Sequence, residues 1–135
     1  QDVNAPTNGE FRDRLRAAFE KAGKVPLVYA AGHDHSLQVL EGRSPGDPRH
    51  ILVSGAGSKL SSVEDTVAVR YAAVRPGYMT LMFREDDSID LYVHAGSAAY
   101  LNCPAADEAR ERCMTEAADS FRTVFSDRIY PPTVN

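Results

Sequence analysis

The stretch Pro26-Leu27-Val28-Tyr29-Ala30-Ala31-Gly32-His33-Asp34-His35-Ser36-Leu37-Gln38-Val39-Leu40 organises the chain. An apolar run stops at a glycine, two histidines follow one residue apart, and a second apolar-alternating run begins. Leu27, Val28 and Tyr29 suit a buried strand, and Pro26 marks its start. Gly32 permits a sharp turn and close approach of the backbone. Residues two apart on an extended backbone point the same way, so His33 and His35 can present their imidazoles to one point or to two adjacent points. Neutral imidazole is a common metal ligand. The expectation is a metal site at the exposed end of a strand.

Working outward, Leu37 and Val39 alternate with Gln38, which reads as a strand with one buried face. Gly42 to Pro48 is a turn and His50 to Ser54 the returning strand, so 36–54 reads as a hairpin. Ser54-Gly55-Ala56-Gly57-Ser58 reads as a turn with two positive-φ glycines; it lacks the dinucleotide and P-loop patterns that would make it a phosphate cradle. Residues 59–66 are polar and loop-like, and Val67 to Tyr71 reads as a short strand. In Tyr78 to Arg84, Tyr78, Thr80 and Met82 share one face and Met79, Leu81 and Phe83 the other. Glu85 to Ser88 closes a solvated hairpin, and Ile89, Leu91 and Val93 return against Asp90, Tyr92 and His94. His50 and His94 are single histidines on strands and read as surface or packed residues.

At the N-terminal side, Thr7 and Glu10 fit a capping box, with Asn8 a competing cap. Phe11, Leu15, Ala18, Phe19 and Ala22 recur at helical spacing as one core-facing stripe. Gly23 supplies a stop and Pro26 prevents continuation, so a helix is expected over about 9–22. Near the other end, Pro104 suits a first helical position, and Ala109, Cys113, Ala117 and Phe121 step by four, which predicts a helix over about 105–122. Residues 97–135 then read as a linker and helical tail attached to a domain over 1–96.

The chain has 135 residues, with apolar and charged fractions of 43% and 25%, ordinary for one globular domain or part of one. Its net charge of −4, with no basic run, argues against a nucleic-acid partner. No apolar segment reaches the roughly 18 residues of a membrane span. Cys103 and Cys113 suit a disulfide in an exported protein or two thiols in a cytosolic one, although a bridge within a regular helix would be strained. The polar opening Gln1 to Asn4 carries no leader pattern, and a chain starting with Gln in a loop reads as processed, cleaved or truncated. A periplasmic or extracellular location is favoured.

Gly32-His33-Asp34-His35, directly after a buried-type strand and before Ser36-Leu37-Gln38, resembles the last metal-binding motif, Gly-His-x-His, of the calcineurin-like metallophosphoesterases, which include the purple acid phosphatases. The resemblance covers about residues 9–94. It implies an α/β (α+β) fold, the C-terminal half of a four-layer α/β/β/α sandwich, and hydrolysis of phosphate esters by two Mn, Fe or Zn ions. His33 would bind one ion and His35 the other; Asp34 has no assigned role.

The family's remaining motifs are missing. No Asp-x-His and no Gly-Asn-His occurs, and Gly46-Asp47-Pro48-Arg49-His50 has His where the second motif needs Asp. Two histidines cannot hold a binuclear centre. The expectation is therefore a C-terminal portion, inactive alone, that pairs with an N-terminal half or self-associates. The alternative is a non-catalytic binding module whose histidines hold one metal or none. The substrate beyond the phosphate ester is not readable.

Overall fold

A computed structural model describes residues 6–57, 59–63 and 69–131. The chain forms helix α1 (Pro6–Ala22), strands β1 (Val28–Ala31), β2 (Leu37–Glu41), β3 (His50–Ser54), β4 (Val69–Ala73), β5 (Gly77–Phe83) and β6 (Ile89–Ala95), a short 3-10 turn (Ala98–Asn102), helix α2 (Glu108–Asp119) and strand β7 (Arg122–Tyr130). It is a mixed α+β fold with two sheets. Residues 67–68, part of the expected fourth strand, lie outside the described residues.

The first sheet has the order β1-β3-β2-β4. β2 and β3 form the expected hairpin, with Val39 opposite Leu52. The turn between them is tied by Asp47, whose carboxylate accepts from the backbone N–H of Ser44 at 3.1 Å. β1 lies parallel to β3, with Ala30 opposite Leu52. Because these two strands run the same way, the histidine loop after β1 and the glycine turn after β3 emerge at the same sheet end.

The second sheet has the order β5-β6-β7 and is antiparallel throughout. Of the faces read from period-two alternation, Met79, Leu81, Ile89, Leu91 and Val93 turn to the core, but Phe83, at the end of β5 on the Met79 and Leu81 face, is 72% exposed. Leu37, Val39 and Leu52 of the first sheet meet Leu91, Val93 and Ile129 of the second in one apolar cluster. Leu37, Leu91 and Ile129 are almost wholly buried, and each contributes roughly 1.5–3 kcal/mol by leaving water. That shared layer holds the sheets together.

Four local expectations are corrected. Helix α1 begins at Pro6, so Thr7 and Asn8 lie inside it, not at its cap; proline, lacking an N–H to leave unpaired, suits a first helical position. Its C-terminal end is as expected. Gly23 has φ 64°, and the bonds Lys24 N to Phe19 O and Gly23 N to Glu20 O close a Schellman motif. The stripe is only partly core: Leu15 and Phe19 are half-buried, but Phe11 is 57% exposed.

Second, helix α2 is shorter than 105–122, running from Glu108 to Asp119, with Asp107 capping it by accepting from the Ala109 N–H at 2.9 Å. Third, Cys103 and Cys113 are bridged, with Cα atoms 5.7 Å apart. The bridge does not lie within a regular helix: Cys103 precedes α2 and only Cys113 is in it. Fourth, residues 97–135 are more than a linker and helical tail. Arg122 to Tyr130 form β7, which pairs with β6 along its length.

Candidate functional site

The histidine loop is not extended. Asp34 N donates to Gly32 O at 3.0 Å and Ser36 N donates to Asp34 O at 2.8 Å. These are two linked three-residue turns, with His33 at the apex of the first and His35 at the apex of the second. The positive φ falls on His33, at 74°, and not on Gly32. A left-handed non-glycine residue costs on the order of 1–3 kcal/mol and persists where its surroundings over-determine it. The surroundings here do so. Ser61 N donates to the His35 carbonyl at 2.9 Å, and Gly55 N to the Ser36 carbonyl at 3.2 Å.

Gly55 explains part of the glycine turn. A Cβ there would overlap the Asp34 carbonyl, so only glycine lets the turn after β3 lie against the histidine loop. Neither Gly55 nor Gly57 has positive φ; the requirement at Gly55 is close approach, not handedness. Sequence reading did not single out Ser61, whose role is a backbone bond and leaves no residue-type signal.

His33 is exposed and His35 half-buried. Their ring centroids are 6.5 Å apart with planes at 40°. A ring centroid lies about 3.2 Å from a metal bound at about 2.0–2.1 Å, so two imidazoles at a tetrahedral angle on one ion have centroids about 5.2 Å apart. The observed spacing is wider. It is too wide for two ligands at a tetrahedral angle on one ion. The donor set is incomplete: among the described residues no group of three or more His, Cys, Asp or Glu converges as a metal site. Asp34 is exposed, with its carbonyl, not its carboxylate, committed to the loop. The chain's own described residues therefore do not suffice to hold a binuclear centre.

The other sequence-flagged residues sit elsewhere. His50 is buried inside the sheet pair. His94 stacks on Tyr78 at 4.7 Å and its Nδ1 lies 3.2 Å from the Thr123 hydroxyl. The acidic turn after β5 is exposed, with Asp86 accepting from the Ser88 hydroxyl and N–H. One residue beyond Gly55, a groove of about 360 Å³ opens between Ala56, Pro76, Tyr78, Met114 and Phe121.

Comparison with family models, curated proteins and solved structures finds no match for this chain. No helix among the described residues is long and apolar enough to cross a membrane.

Proposed function

We propose that this chain is the C-terminal portion of a metal-dependent phosphoesterase, the second half of a four-layer α/β/β/α sandwich, in which His33 and His35 each bind one ion of a binuclear centre. The observation that supports the reading is the pair of linked turns after β1 that brings the rings of His33 and His35 to within 6.5 Å of each other. When bound, a pair of Mn, Fe or Zn ions supplies a water of lowered pKa and neutralises the phosphoryl oxygens. The chain's part is to hold His33, at a strained φ, and His35 in a loop whose backbone is tied by Ser61 and Gly55. The carboxylates and further histidines come from a segment outside these residues. The Cys103–Cys113 bridge supports an oxidising, exported location.

The test uses an aryl phosphate with Mn, Zn or Fe. The 135-residue chain should show no turnover, and a longer form with its upstream coding sequence restored should turn over and bind two ions. In that form His33→Ala and His35→Ala should each cost more than the roughly 10–100-fold typical of losing an outer-sphere partner. Turnover by the short chain, or a longer form without metal, overturns the proposal.

The second reading is a non-catalytic binding or interaction module. The missing third ligand among the described residues favours it. A short form as stable and as metal-loaded as the long one would establish that reading. The exposed apolar face of α1 around Phe11 makes self-association of the short form a companion measurement.

A further inference from the structure

His50 is the one buried group whose polar atoms the fold leaves unpaired among the described residues. It is 3% exposed, and neither Nδ1 nor Nε2 has a hydrogen-bond partner. Its backbone N–H donates to Leu27 O at 3.0 Å. The ring sits at the first residue of β3, between Val28 of β1 and Glu41 of β2 in register. Strand β7 of the other sheet packs against it: the Ile129 carbonyl favours a protonated ring without completing a bond to it.

The charges around it divide unevenly. Arg49, just before β3, and Arg70 on β4 oppose a positive ring, and Asp127 on β7 favours one. Asp127 is already committed to Arg70 at 2.6 Å, and Glu41 to the same guanidinium at 3.3 Å. β1 offers Val28 and no charge. Among the described residues, neither of these carboxylates is free to accept from a protonated ring nitrogen.

The geometry points to His50 as an acid-sensitive latch between the sheets: protonation puts an unpaired charge into the layer that β3 shares with β7, and the contact opens. Burial, helped by Arg49 and Arg70, holds the imidazole below its ordinary value near 6.5. The unfolded or opened chain takes the proton first. Stability is therefore complete above about pH 6.5 and falls as the pH drops below it, by up to a factor of about ten in the folded-to-open ratio per pH unit for one proton, until the folded ring itself titrates. Asp47, Asp86 and Asp90 are held below the usual carboxylate range, so these three titrate below this window. The inference does not depend on the metal reading.

The experiment is denaturant unfolding of the 135-residue chain at pH 7.5, 6.5, 5.5 and 5.0, for wild type and His50→Leu. Wild type should lose stability below pH 6.5, and His50→Leu should lose most of that dependence. An NMR titration of the His50 ring, with hydrogen exchange of the Arg128 and Ile129 amides, tests wild type even if the variant fails to fold. The ring should stay neutral below pH 6.5 while exchange accelerates beyond its intrinsic pH dependence. A ring that titrates at or above 6.5, β7 amides that do not respond, or an identical slope in His50→Leu overturns it.

Discussion

The two helices of this molecule are attached by opposite means. Helix α1 is joined to the first sheet by an ion pair, Arg16 to Asp47 at 2.7 Å, while Phe11 on its apolar stripe stays largely in water. Helix α2 is held at both ends. The disulfide ties it to the preceding turn, and its last residues lead straight into β7. Ala117 is buried, and the Ser120 hydroxyl accepts from the Ser97 N–H at 2.7 Å. The difference shows that amphipathic spacing makes a helix but does not place it. Placement comes from what the chain does on either side: α2 lies between a bridge and a paired strand, whereas the side-chain tie of α1 is its ion pair to the β2–β3 turn.

The largest way to break this comparison is to cut the anchor beyond α2. Ile129→Ala removes a side chain that is 1% exposed in the shared core. It should cost about 2–5 kcal/mol in denaturant unfolding, with α2 loosened along with β7; a loss below 1 kcal/mol would show that the second sheet does not depend on its third strand. Next comes the bridge. Cys103 and Cys113 are 10 residues apart in sequence, and opening so short a loop should cost about 3 kcal/mol on chain-entropy grounds. Reduction, or the double change to serine, should lower the unfolding midpoint and raise exchange in α2 while leaving α1 untouched.

The smallest effect belongs to α1. Arg16→Ala removes a partly exposed ion pair and should cost only about 0.2–1 kcal/mol. Burial alone would raise the Asp47 carboxyl, but Arg16 and the Arg43 and Ser44 N–H groups outweigh it and hold the group below its ordinary 3.8. A depressed carboxylate stabilises fully above that value, and its contribution is lost as the pH falls through the folded value. Arg16→Ala should therefore flatten the stability profile below about pH 4. An effect as large as that of Ile129→Ala would mean that α1 is as firmly seated as α2.

Local patterns carried much of this fold. Turn residues and adjacent strands placed the β2–β3 and β5–β6 hairpins, and period-two alternation placed the buried face of β2 and divided the faces of β5 and β6. Gly23 likewise ended α1 where the sequence placed it. Strand β7 was not legible in the same way. Phe121, Val124 and Phe125 extend a helical spacing as well as they start a strand, and β7's partner β6 lies before α2, so nothing local decides between the two.

By itself, the sequence offered the residues of the candidate site: two histidines one residue apart, after an apolar strand and a glycine. Tertiary structure decided how they are held. The left-handed His33 and the second turn at His35 exist because residues from the end of β3 and from Ser61 lock the loop's backbone. It also decided that His50 is buried and unpaired between two sheets. A residue's chemistry is written in its identity, but its solvation and its partners depend on segments distant in the chain, and no local pattern encodes those.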